Sequence, residues 1–287
     1  MNIVDLTPEG VHDSISLCIG SKPGFELARE EKRRWLESNL PDKAGAKLAY
    51  HDSQLAGMLE YSLIEHSPFP VAGKDLLHIN CIWVLPSFQR RGLGAELLRS
   101  IIRETHSRSK KGLSVLAYNS PLFMPSSFFH NKGFRTLQER GLQELMWMEL
   151  ETCEPPSFLP VEFSPTLDRK QVAIDVLYCA QCPWSIKTRE RIERVSREFG
   201  DEVRFRSIRT DTRNKMESIG DSRKIFLDGE ESFFAPPTEE DVRKAVASRI
   251  RERDREARFG LRRHEVSVRP GNHYPASAVP VSGETSA

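Results

Sequence analysis

The chain has 287 residues, 38% hydrophobic and 29% charged, with 42 Lys and Arg against 41 Asp and Glu. A length near two times ~100–200 residues suggests two domains, the even charge argues against a general electrostatic grip on nucleic acid, and no run approaches the ~20 apolar residues of a membrane-spanning helix. Five cysteines, an odd and low count, argue against a secreted disulfide framework, and the opening Met1-Asn2-Ile3-Val4-Asp5 lacks the basic and apolar blocks of a signal peptide, so a cytoplasmic protein with reduced thiols is expected.

In chain order, residues 3–6 read as a short strand. From Phe25 to Leu40 the apolar positions Phe25, Ala28, Trp35, Leu36 and Leu40 keep helical spacing. Residues 46–51 and 54–66 read as strands around Asp52-Ser53. A longer strand, 76–85, stops at Pro86. A helix over 96–106 carries Leu97, Leu98, Ile101, Ile102 and Thr105 on its inner side. Residues 114–118 form a buried strand, and 126–132 a short helix closed by Gly133. A hairpin over 134–138 and 142–150 turns at Arg140-Gly141. Pro155, Pro156, Pro160 and Pro165 then make a semi-rigid linker of 151–170.

After the linker, an apolar strand over 172–177 runs into Cys179-Ala180-Gln181-Cys182-Pro183. The next helix puts Trp184, Thr188, Ile192, Val195 and Phe199 on one face. A strand over 202–208, a helix over 211–219 and a strand over 224–227 turning at Asp228-Gly229 follow. A last helix opens at Thr238 and carries Val242, Ala245, Val246 and Ile250. Beyond about residue 250 the charges alternate, and the last ~25 residues have little to bury and are expected to be disordered. The expected fold class is α/β (α+β). Its parts are a first domain over 1–150, the linker 151–170, a β-α-β-α-β-(β)-α domain over 171–250 and a charged tail over 251–287.

The sharpest motif is Gln89-Arg90-Arg91-Gly92-Leu93-Gly94-Ala95, between a strand and an amphipathic helix. The glycines allow φ > 0 and close backbone approach. The first helical amides lack intrahelical acceptors, and the helix dipole adds positive charge. Together they make a pyrophosphate cradle, to which Arg90 and Arg91 add side-chain charge. The alternative is a glycine-rich turn that binds nothing. The string has neither the GxGxxG spacing of a dinucleotide site nor the Gly-Lys-Ser/Thr of a P-loop.

These residues resemble the acetyl-CoA motif of the GNAT acetyltransferase superfamily, Gln/Arg-x-x-Gly-x-Gly/Ala after a strand, and the likeness extends over about residues 1–150. It implies that Ile82, Trp83 and Val84 offer backbone groups to the pantetheine arm. It also implies that Gln89, Arg90, Arg91, Gly92, Leu93, Gly94 and Ala95 hold the pyrophosphate and that Asn119 contacts the cofactor. The stretch from Ser127 to Phe134, which includes Phe128, resembles the family's Phe-Tyr-x-x-x-Gly-Phe segment near the acetyl-CoA sulfur. Phe129 stands where many members carry a proton-donating Tyr, and Ser114 where some carry a Glu base. Tyr118, His130 and Glu60 are therefore the candidate catalytic groups, with Cys81 as a further stand-in. The plain readings are a solvated His130, a water-facing Glu60 and an inert core thiol at Cys81.

Cys179 and Cys182 sit between a buried strand and a helix. A helix start favours thiolate at the first cysteine, and x-x spacing lets the second resolve a mixed disulfide. The pair thus reads as redox or thiol-binding, with a structural pair as the rival. Zinc needs further ligands, and no second CxxC exists, so no metal is assigned. The segment resembles a thioredoxin-like βαβ start without the proline such folds carry before the third strand, where Ser222-Arg223-Lys224-Ile225 stands. The whole arrangement is similar to the YoaP-like acetyltransferases. It implies an acyl-CoA-dependent N-acetyltransferase that uses acetyl-CoA on a small-molecule amine or peptide, with no membrane or nucleic-acid partner. Two alternatives are a thiol-disulfide oxidoreductase or thiol carrier with a regulatory CoA-binding domain, and a non-catalytic acyl-CoA-binding module.

Overall fold

A computed structural model describes residues 1–121 and 123–259. Its elements begin with β1 (Asn2–Asp5), α1 (Val11–Ile19), α2 (Glu26–Asn39), β2 (Ala44–His51) and β3 (Gln54–Leu63). They continue with β4 (Val71–Ala72), β5 (Leu76–Val84), α3 (Leu93–Ser107), β6 (Gly112–Tyr118) and α4 (Ser126–His130). The hairpin β7 (Arg135–Arg140) and β8 (Gln143–Glu149) completes a 7-stranded sheet in the order β1-β2-β3-β5-β6-β8-β7. Its neighbours are antiparallel except β5 and β6. The stripe Leu93, Leu97, Leu98 and Ile101 seats α3 on one face with Leu59, Ile79 and Val115. On the other face α1 and α2 pack Val11, Ile15, Trp35 and Leu36 against Leu48 and Met58. The sequence reading places no element where α1 lies. Its Ser and β-branched residues are modest helix formers, and packing on the sheet holds it.

The chain goes on through β9 (Ser157–Phe158), β10 (Val172–Tyr178), α5 (Pro183–Glu198), β11 (Val203–Arg209) and α6 (Arg213–Ile219). It ends with β12 (Ile225–Leu227), β13 (Glu230–Ser232) and α7 (Glu239–Phe259). The second sheet has the order β11-β10-β12-β13, with only β10 and β11 parallel. Val172, Ile174 and Val176 form its core with Ile192, Val195, Val242 and Val246. The alternating charges after 250 continue α7 to Phe259. Residues 260–287, where the rest of the expected tail falls, lie outside the described residues.

The proline-rich linker is strapped to both domains. Its β9 pairs with β4, the Leu159 amide donates to the Pro70 carbonyl at 2.9 Å, and the amides of Glu162 and Phe163 donate to the Ile219 carbonyl at 3.0 Å. The domains also share apolar contacts: Ala180 and Ile186 belong to the α1–α2 core, and Trp184 packs edge-on to Phe25 at 5.0 Å.

Two groups of the first domain should make the fold acid-sensitive. Glu104 of α3 accepts hydrogen bonds from Arg108 (2.6 Å), Lys47 (2.7 Å) and Tyr61 (3.0 Å). Burial alone would raise its pKa, but the bonds from Lys47 and Arg108 outweigh burial and bring it to about 2. His78 is fully buried, 2.9 Å from the Ser114 hydroxyl, and burial, helped by the Arg223 charge, lowers its pKa to about 3. In both cases the unfolded chain binds the proton more readily, so the stability contribution is complete above the unfolded pKa and is lost as pH falls. The His78 contribution goes between 6.5 and about 3, and the Glu104 contribution between 4.5 and about 2. Urea midpoints should therefore decline from about pH 6.5 downwards, and His78→Gln should flatten the upper part of that decline. A midpoint constant from about pH 7 to about pH 4 would contradict the His78 assignment, and one constant from about pH 4.5 to about pH 2 the Glu104 assignment.

Candidate active site

The site begins where the central sheet opens. β5 and β6 pair only from Leu76↔Gly112 to Ile79↔Val115, although β5 runs on to Val84 and β6 to Tyr118. Their outer neighbours stay paired to the end, Gly57↔Val84 on one side and Tyr118↔Gln143 on the other. The cause is a bulge: Glu60 pairs with Cys81 and Tyr61 with Ile79, so Asn80 is the extra residue that bends β5 away. Past the bulge the β5 edge has no ladder partner among the described residues, which is where an extended ligand can add, while the end of β6 is met by Pro125, the Tyr118 amide donating to the Met124 carbonyl at 3.0 Å. Ile82 and Val84 face the α3 side, and Cys81 and Trp83 the opposite side.

On the α3 side, the Gln89 side-chain amide donates to the Val84 carbonyl at 3.0 Å and ties the loop to the strand end. Arg90 (φ 60°) and Gly92 (φ 85°) are left-handed, and Gly92 caps α3, which starts at Leu93. The amides of Leu93, Gly94 and Ala95 have no carbonyl four residues back. Arg90, Arg91 and Gly92 are exposed beside them. Space around Gly92 is open, with no atom within 4 Å of where a Cβ would lie. A Cβ at Gly94 would come 3.2 Å from the Phe128 ring, so the missing side chain lets that ring close over the helix start. Asn119 is exposed just past β6, its amide donating to the Leu142 carbonyl at 2.9 Å. The candidate cofactor residues thus gather at the open ends of β5 and β6 and at the start of α3.

On the other side, the two domains line an open cavity of about 1420 Å³, with Cys18, Cys81, Trp83, Tyr118, Cys182 and Arg223 among its wall residues. Lys32 forms part of its wall. The Lys32 ammonium donates to both Glu60 carboxylate oxygens (2.6 and 2.5 Å) and to the Gln181 carbonyl (2.6 Å). Glu60 also accepts from Ser14 (2.8 Å) and from the Gln181 side chain (2.7 Å). Both charged side chains are 1% exposed. Burial works against the Lys32 charge, but attraction to Glu60 prevails and holds its pKa above the ordinary value. Neither Lys32 nor Gln181 was singled out from the sequence. The signal was there, since Lys32 falls on the buried stripe Ala28, Trp35 and Leu36 as its only charged member.

The three candidate catalytic groups do not meet. Tyr118 lines the cavity at the strand opening. Glu60 does not face water: it accepts four hydrogen bonds behind the cavity wall. His130 lies away from the cavity, 3.2 Å from Thr136 Oγ1 and 3.6 Å from Glu144. Phe129 is 0% exposed and packs edge-on to Phe128 and Phe134, so this position fills the core and does not line the cavity between the domains.

The dithiol is also ordered differently from the expectation. Helix α5 begins at Pro183 with Cys182 as its N-cap, while Cys179 turns into the core at 0% exposure. Burial, then the nearby Asp211 charge, pushes the Cys179 thiol up to about 12, the reverse of an activated nucleophile. Cys182 is the member that reaches the cavity. Iodoacetamide should therefore label Cys182 in the native protein and Cys179 only after unfolding, read by peptide mass spectrometry. Rapid labelling of Cys179 in native protein would show that its burial is wrong.

Residues 16–121 match the acetyltransferase (GNAT) family. Over 239 residues, 80% of this chain, it is 25% identical to the uncharacterized N-acetyltransferase YoaP of Bacillus subtilis (strain 168), of which 92% is covered. Solved structures that resemble it include the PaiA N-acetyltransferase of Thermoplasma acidophilum in complex with coenzyme A, at 16% identity and TM-score 0.39, covering 52% of this chain and 99% of that one. Another is a GNAT family acetyltransferase from Brucella melitensis in complex with acetyl-CoA, at 16% identity and TM-score 0.37, covering 54% of this chain and 90% of that one. With the strand opening and the loop at residues 89–95 in place, residues 16–121 are those of a GNAT-type acetyltransferase domain.

Proposed function

We propose that this protein moves an acetyl group from acetyl-CoA to the amine of an acceptor held between its two domains. The enzyme is an N-acetyltransferase and acetyl-CoA its co-substrate. The observation that carries the reading is the parting of β5 from β6, with the exposed glycine-capped start of α3 on one side and a cavity on the other. The cofactor supplies a thioester carbonyl. The amides of residues 92–95, with Arg90 and Arg91, hold its pyrophosphate, and the free β5 edge over 82–84 takes its arm. The acceptor nitrogen enters from the cavity, the new C–N bond replaces the C–S bond, and the proton lost by nitrogen passes to the leaving thiolate or to water. Tyr118 is the candidate side chain at the junction of arm and cavity, and we assign it the proton transfer at the leaving sulfur. Holding both reactants at one opening supplies much of the rate.

The second domain serves as the acceptor-side wall. Its sheet order, its parallel first pair and a CxxC at the start of α5 support a thioredoxin-like module, used here for binding. Burial of Cys179 disfavours the alternative of a dithiol oxidoreductase. The test is calorimetry with acetyl-CoA, followed by CoA release over a panel of amines under reducing and oxidising conditions. Acetyl-CoA binding and amine-dependent release are expected. A folded protein that binds no acetyl-CoA would end this reading.

A further inference from the structure

The cavity between the domains has charge of one sign only. Lys22, Lys32 and Arg223 line it, and among the described residues no Asp or Glu does. Lys32 is neutralised by Glu60 from behind. Lys22 is exposed, its ammonium 5.4 Å from the centre of the Trp184 ring. Arg223 differs from both. It stands just before β12 with φ 55°, and its guanidinium lies 4.0 Å over the Phe69 ring, with no carboxylate in ion-pair reach among the described residues. From the second domain it lines the same cavity as Tyr118 and Cys81 of the strand opening. Trp83, Tyr118, Phe123 and Phe234 make much of the remaining wall aromatic.

A guanidinium with no carboxylate partner in such surroundings is a receptor for an oxyanion, because its planar fork matches a carboxylate with two parallel hydrogen bonds. The same wall repels a polycation, for which it offers no carboxylate. We propose that the acceptor is an amine bearing a carboxylate a few bonds from its nitrogen, with an apolar or aromatic body, and that Arg223 holds the carboxylate. This rests on the acetyl-transfer reading and narrows it: polyamines and aminoglycosides are not the acceptors. The second domain then sets specificity by contributing the anion receptor to a transfer site built by the first.

The test uses the full chain in two arms. In the binding arm, calorimetry measures phenylacetate against phenethylamine, which share the aromatic body and differ in charge. In the turnover arm, CoA release is compared for phenylalanine, phenethylamine and spermidine. Phenylacetate should bind at least about tenfold more tightly than phenethylamine, and Arg223→Gln should remove about tenfold of that affinity while acetyl-CoA affinity stays unchanged. Phenylalanine should exceed both other amines in kcat/KM. The proposal is overturned if phenylacetate does not bind, if Arg223→Gln binds it equally well, or if phenethylamine or spermidine is the better substrate. Failure of the wild-type chain to bind acetyl-CoA sinks the transfer reading instead, and the phenylacetate arm still judges the anion receptor.

Discussion

Lys32→Met should destabilise the folded chain by about 3–5 kcal/mol, the usual cost of removing one partner from a fully buried ion pair. Glu60 would be left in the protein interior with only the Ser14 hydroxyl and the Gln181 amide as donors. The loss reaches across the molecule, because the same ammonium also holds the Gln181 carbonyl of the second domain. That loss is a large fraction of the about 5–15 kcal/mol stability ordinary for a protein. The double variant Lys32→Met/Glu60→Leu removes both charges and should recover most of the stability, since an apolar pair of similar volume replaces a buried ion pair at little cost. Urea unfolding of the wild type, both single variants and the double variant closes the cycle. A Lys32→Met loss below about 1 kcal/mol would mean that water reaches Glu60 and that the pair is not sealed.

The loop at residues 89–95 was readable because its geometry is local. Two glycines, a strand before and an amphipathic helix after force the same backbone wherever they occur together. The strands and most helices were readable for the same reason, through period two and period 3.6. What escaped has its cause at long range. Helix α1 has indifferent propensity and forms because β2 and β3 offer a face to cover. The β4–β9 pair joins residues on either side of the first domain's core strands, which no window of sequence shows. The cavity is made where Lys32 meets Gln181, 149 positions away, and a local pattern does not encode docking. The dithiol was found, but its polarity was reversed. The helix starts one residue after Cys182, so the dipole and the cavity belong to that thiol, while the apolar strand before Cys179 carries it into the core. Phe129 shows the opposite limit: a missing hydroxyl was visible in the sequence, yet only packing against Phe128 and Phe134 shows that the position is filled as core.

Gly92→Asp should lower acetyl-CoA affinity by about a hundredfold or more and leave the protein folded. The position is exposed, with nothing within 4 Å of a Cβ, so a new side chain meets no wall. The backbone is the only structural difficulty: φ 85° is left-handed, which costs a residue with a Cβ about 1–2 kcal/mol. Gly92→Ala carries that same strain and no charge. Asp adds a carboxylate at the start of α3, beside the unpaired amides of Leu93, Gly94 and Ala95. It therefore competes for the donors that would hold a phosphate and repels the phosphate itself. At close approach two like charges near a protein surface oppose each other by about 3–4 kcal/mol, which is a factor of a hundred or more in affinity. The two variants separate the causes. Calorimetry should show a small loss for Gly92→Ala and a near-complete loss for Gly92→Asp, with similar urea midpoints for both. The Asp effect should shrink as salt is raised, because an exposed charge is screened. Equal affinity of Gly92→Asp and Gly92→Ala would mean that no phosphate sits at the head of α3, and the loop would then be a strand-to-helix turn with no ligand.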